Sequence, residues 1–155
     1  MKIEKRKKTE TIYITLDNRE FENKTEAKEH ENYLILNEYH RKLCRSTTFS
    51  VTTQHIAAIK EMNFYWKFYS SENIDCCLDH NRPFGNSDIK SDLAKFIGIK
   101  QPDYDNDEYF TDEQLLEISK FFIELAIVLD ILIATCELKP GEYQRKDTYD
   151  NWRLK

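Results

Sequence analysis

The chain has 155 residues, of which 40% are apolar, 33% charged and 13% aromatic, with only three Gly and three Pro. A chain of this size buries roughly 70% of the surface its unfolded form exposes, so one domain with its own core is expected, and a disordered, collagen-like or loop-dominated chain is excluded. Acids outnumber bases by 28 to 23, and the net charge of −5 argues against a general nucleic-acid binder.

The first eight residues carry five bases and one acid, and polar Thr9-Glu10-Thr11 follows them. With no apolar stretch behind the charges, they predict a flexible basic arm over residues 1–10 and not a secretory signal. Residues 11–155 are then a single globular domain. Thr11 to Leu16 alternates β-branched and aromatic residues, Asp17-Asn18 tolerates the positive φ of a tight turn, and Arg19 to Glu22 returns as the second strand of a hairpin. Thr25 can cap the next helix, whose apolar period runs through Ala27, Tyr33, Leu34, Leu36 and Leu43 to about Cys44. The opening unit, residues 11–45, is thus ββα.

Ser46 to Ser50 interrupts the pattern. Thr52 or Thr53 caps a second helix with an inward stripe of Ile56, Ile59, Met62 or Asn63, and Trp66, ending near Ser70. Ser71 to Ser87 has no period and reads as a loop. Ser87 then caps a short helix through Ile97, with Ile89, Leu93, Phe96 and Ile97 on one face and Gly98 as its stop. The last helix is expected from Asp112 to about Leu138. Glu113, Glu117, Lys120 and Glu124 mark its solvent stripe, while its second half is apolar all round and must be covered on nearly every side, by this chain or by a second copy in a homodimer. Lys139-Pro140-Gly141 ends it, and a tail with Tyr143, Tyr149 and Trp152 folds back over the core. The fold class is therefore α+β and helix-rich, with the ββα unit packed on about three further helices in a core spanning residues 49–145. The longest apolar run, Phe121 to Cys136, contains Glu124 and Asp130 and falls short of the ~20 residues of a membrane span. A cytoplasmic location is expected, and there the four cysteines are buried thiols or metal ligands and not disulfides.

Three groups of residues carry candidate chemistry. His40 and Cys44 are one helical turn apart, and Cys76, Cys77 and His80 lie in the loop, so His40, Cys44, Cys77 and His80 have the number and softness of ligands for a structural zinc. The alternative makes Cys44 and Cys136 core thiols. The Cys77-His80 pair lacks the orienting group and oxyanion hole that a nucleophile needs, so no enzyme is expected. Asp103, Asp105 and Asp107 imitate a calcium loop, but Glu108 and Gln114 stand where Gly and Glu are required. The stretch from Gln101 to Asp112 is instead a surface for docking onto a basic groove of another protein. Asp103, Asp105, Asp107, Glu108 and Asp112 supply its charge, and Tyr104, Tyr109 and Phe110 its anchors.

Arg82-Pro-Phe-Gly-Asn-Ser-Asp-Ile89, followed by Asp92-Leu93 and Ile97-Gly98, resembles a motif of small uncharacterised proteins encoded by phages and other mobile elements. Thr53-Gln-His55, Trp66, the apolar helix and Lys139-Pro-Gly-Glu-Tyr143 extend the resemblance over about residues 49 to 145. The hairpin and helix that open the chain are similar to those of phage accessory proteins. The resemblance implies a genomic setting and transfers no catalytic residue. By analogy it points to inhibitors of host defence, including anti-CRISPR proteins, whose partner would be a CRISPR effector of the Cas9 type. A zinc-stabilised structural or regulatory phage protein is the alternative.

Overall fold

The computed structural model describes residues 1–6, 10–61, 87–145 and 152–155. Expectations that fall on Met62 to Asn86, including Trp66, Cys76, Cys77, His80 and the Arg82-Pro-Phe-Gly turn, and on Tyr149, lie outside the described residues.

The domain is α+β. Strands β1 (Lys2–Arg6), β2 (Glu10–Ile14) and β3 (Glu20–Phe21) form an antiparallel sheet in that order. The expected hairpin is β2–β3, in the register Tyr13↔Phe21 and Ile14↔Glu20. Its turn is set by Asn18 at φ 64°, with Asn18 N–H donating to the Thr15 carbonyl at 2.9 Å. The basic arm is a correction: Lys2–Arg6 is not a loose tail but pairs along its whole length with β2, from Lys2↔Ile14 to Arg6↔Glu10. Its charged composition, expected to mark a flexible arm, is also the usual composition of an edge strand protected against further pairing.

Helix α1 spans Lys24–Arg45. Its cap is Asn23, two residues before the expected Thr25, because the Asn23 carboxamide accepts the amides of Thr25 at 2.8 Å and Glu26 at 3.4 Å. β4 (Thr48–Val51) follows, then α2 (Thr53–Glu61), α3 (Ser87–Phe96) and α4 (Asp112–Thr135). Gly98, at φ 76°, ends the α3 region as expected. Thr111 and Gln114 cap α4 reciprocally, the Thr111 hydroxyl accepting the Gln114 amide and the Gln114 carbonyl accepting the Thr111 amide. α4 stops three residues before the expected Leu138, because Cys136 adopts a left-handed conformation and donates its amide to Leu132.

A second antiparallel sheet orders β4, β5 (Gly141–Arg145) and β6 (Trp152–Leu154). From the sequence no strands are expected here, only a break at Ser46 to Ser50 and a tail that folds back. The tail does return: Tyr143 pairs with Phe49 across β4–β5, and Trp152 with Arg145 across β5–β6. Tyr143 and Trp152 are both fully buried.

The core is centred on α4. Ile118, Phe121, Phe122, Leu125, Val128, Leu129 and Ile131 meet Phe49 and Val51 of β4, Ala58 and Ile59 of α2, Leu93 and Ala94 of α3, and the returning Tyr143 and Trp152. A smaller cluster joins Leu36 of α1 to Ile123. Most of the apolar second half of α4 is thus covered by this chain's own elements, while Ile133 near its end stays 49% exposed. Among the described residues no helix is long and apolar enough to cross a membrane.

Candidate functional site

The acidic stretch folds into a short 3-10 turn, Tyr104–Asn106, whose shape is set by its own side chains. Asp103 caps it: Oδ1 accepts the Asp105 amide at 3.1 Å and Oδ2 accepts the Asn106 side-chain amide at 2.6 Å. The Asp103 amide in turn donates to Glu108 Oε2 at 2.9 Å. Asp107 closes the turn in the left-handed region, φ 56°, a conformation that Asp tolerates better than most residues. Both flanks are fixed to the body. Gln101 donates to the Ser91 carbonyl in the middle of α3 at 2.8 Å, and Phe110 is buried in the main core.

Of the eight residues expected at this surface, the fold keeps six together and moves two elsewhere. Asp103, Tyr104, Asp105, Asp107, Glu108 and Tyr109 are all exposed on one knob. Tyr104 and Tyr109 are 48% and 67% exposed and meet edge to face with ring centroids 5.7 Å apart. Phe110 is core and not an anchor. Asp112 turns to α1, where Lys28 Nζ lies 2.5 Å from its Oδ2. Within the knob, Asp103 and Glu108 hold the turn, whereas the carboxylates of Asp105 and Asp107 accept no hydrogen bond among the described residues and face solvent.

The zinc reading is represented by half of its ligands. His40 Nε2 and Cys44 Sγ are 3.4 Å apart on one face of α1, close enough to share a metal, while Cys77 and His80 lie outside the described residues. Among the described residues no three His, Cys, Asp or Glu side chains converge as a metal site. The alternative for the thiols is corrected: Cys44 and Cys136 are both exposed and neither belongs to the core.

One constellation had been missed. Glu124, expected on the solvent stripe of the last helix, instead meets His55 of α2 at a largely buried junction. His55 sits at the third position of α2 and does what Glu or Gln does in a capping box. Its Nδ1 accepts the Thr52 amide at 3.0 Å, and the Thr52 hydroxyl accepts the His55 amide at 3.2 Å. The proton is therefore on Nε2, which donates to Glu124 Oε2 at 2.9 Å. Tyr39 of α1 donates to Glu124 Oε1 at 2.5 Å, and the imidazole stacks on Phe121 at 5.3 Å. Burial pushes the Glu124 carboxyl up, but the hydrogen bonds from His55 and Tyr39 outweigh it and hold the group below its ordinary value. Burial, then the adjoining carboxylate, pushes the Tyr39 phenol far up, so it stays protonated. Both nitrogens of His55 are engaged, and the network fastens α1 and α2 to α4 without offering a base to solvent. Thr-x-x-His ahead of an apolar helix was the available signal.

Comparison with protein families, with curated proteins and with solved structures finds no match for this chain.

Proposed function

We propose that this chain is an accessory protein of a phage or mobile element that acts in the host cytoplasm, without catalysis, as a stoichiometric inhibitor of a nucleic-acid-targeting defence complex of the CRISPR effector kind. The observation that carries this reading is the knob at Asp103 to Tyr109: two unengaged carboxylates and two exposed tyrosines on a turn clamped at both ends. A surface that handles nucleic acid is a groove lined with Lys and Arg. Carboxylates held rigidly outside a small body suit such a groove and lose little conformational entropy on docking. Tyrosines at the centre of the patch are the residue type that most often anchors an interface.

The test is target cleavage by purified RNA-guided nucleases titrated with the full chain. Asp105→Lys/Asp107→Asn/Tyr109→Ala serves as the comparison, since it leaves the turn-holding Asp103 and Glu108 intact. Wild type should abolish cleavage at about one molecule per effector, and the variant should need about tenfold more, the equivalent of ~1.4 kcal/mol. The effect should weaken with salt. Failure to inhibit any effector rejects the inhibitor reading, and equal inhibition by the variant rejects this surface.

A further inference from the structure

Two ties between α1 and α4, Lys28 to Asp112 and Tyr39 to Glu124, advance along both helices in the same sense, so the two helices lie parallel. Their N-terminal ends are therefore side by side, and so are the positive ends of two dipoles, on helices of 22 and 24 residues. Between these ends, and closed on a third side by α3, is a cavity of about 380 Å³. Its floor is apolar, made by Leu36, Leu115 and Leu116, and its rim carries Lys24, Lys28 and Lys90.

We propose that this cavity binds a small organic phosphate, with the phosphoryl group at the lysine rim and an apolar or aromatic body on the leucine floor. Three ammonium groups face two carboxylates, Glu29 and Asp112, and Asp112 is already engaged by Lys28. Lys24 and Lys90 have no ion-pair partner among the described residues, so two cations remain for a ligand. Two free ammonium groups favour a doubly charged phosphate monoester over a carboxylate. The floor favours an organic phosphate over the bare ion, because inorganic phosphate would leave the leucines uncovered. The volume lies within the range of small-molecule sites. The proposal is independent of the docking knob, which none of these side chains forms.

The experiment is calorimetric titration of the full chain with adenosine 5′-monophosphate, inorganic phosphate and adenosine, at low and at physiological salt. Saturable binding of the monophosphate is expected, at least about tenfold tighter than of either fragment. In Lys24→Ala/Lys90→Ala, which removes two side chains that make no ion pair among the described residues, affinity should fall about tenfold or more with the unliganded melt unchanged. Amide chemical-shift changes in wild type should centre on Thr25, Asn32 and Ser119, which line the cavity. Absence of binding, equal binding of inorganic phosphate, or shifts centred elsewhere would each overturn the proposal, the last of these even if the double variant failed to fold.

Discussion

Asp17, in the turn between β2 and β3, shows how a single exposed carboxylate is perturbed by its neighbours. The Thr15 hydroxyl donates to Oδ1 at 2.6 Å, and His30 Nε2 of α1 lies 2.8 Å from Oδ2. These contacts, the hydroxyl first and the imidazole second, pull the Asp17 carboxyl down to about 2. A carboxyl depressed on folding stabilises the folded state above the ordinary range near ~4, and that contribution is lost as pH falls through the folded value. The turn should therefore hold at neutral pH and loosen only in strong acid. Thr15→Val should raise the Asp17 titration midpoint toward the ordinary range, read from its carboxyl carbon by NMR; an unmoved midpoint would show that the hydroxyl is not the main cause. The turn itself was legible, since Asp-Asn between alternating strands permits little else. The His30 contact was not, because it depends on how α1 packs against the hairpin.

Glu124 matters at the scale of elements, because one carboxylate accepts from α1 through Tyr39 and from α2 through His55. Replacing it with Leu leaves a phenol and an imidazole N–H without their acceptor in a largely buried place. The expected loss is about 2–4 kcal/mol, or roughly a 5–15 °C fall in Tm. Tyr39→Phe, which removes one donor and leaves the carboxylate bonded to His55, should cost about 1 kcal/mol. The pH dependence has a definite sign. The Glu124 carboxyl is held below its ordinary value, so its contribution is full at neutral pH and declines as acid protonates it. The stability gap between wild type and Glu124→Gln, measured by urea unfolding, should narrow as pH falls below ~4. A constant gap would mean that the charge plays no part. Helical period places Glu124 correctly on the line with Glu113, Glu117 and Lys120. It cannot show that α1 and α2 close over the far end of that line, so periodicity alone puts a network residue on the solvent stripe. The acidic knob was more legible, because its hydrogen bonds join residues within five positions of one another.

The whole molecule is closed by its least local contacts. The β4–β5 pairing joins segments on either side of α2, α3 and α4, and β6 brings Trp152 beneath the Arg145 guanidinium at 4.5 Å. Strands of three to five residues have little intrinsic signal, and their pairing is decided by the apolar surface of α4, which they cover. The helices of this α+β fold were therefore readable one at a time, whereas the second sheet is specified by contacts between segments about 90 residues or more apart and not by local pattern. Trp152 tests that dependence. It is 1% exposed, and its indole Nε1 is buried without a hydrogen-bond acceptor among the described residues. Trp152→Ala empties the space between β6 and α4 and should cost about 3–5 kcal/mol in denaturant unfolding. Trp152→Phe keeps an aromatic face under Arg145 and removes the unsatisfied N–H, whose desolvation costs about 1–3 kcal/mol. The gain offsets much of the lost volume, so Trp152→Phe should fall within about 1.5 kcal/mol of wild type. If Phe instead lost as much as Ala, the closure would depend on the indole's particular shape and not on aromatic cover for α4.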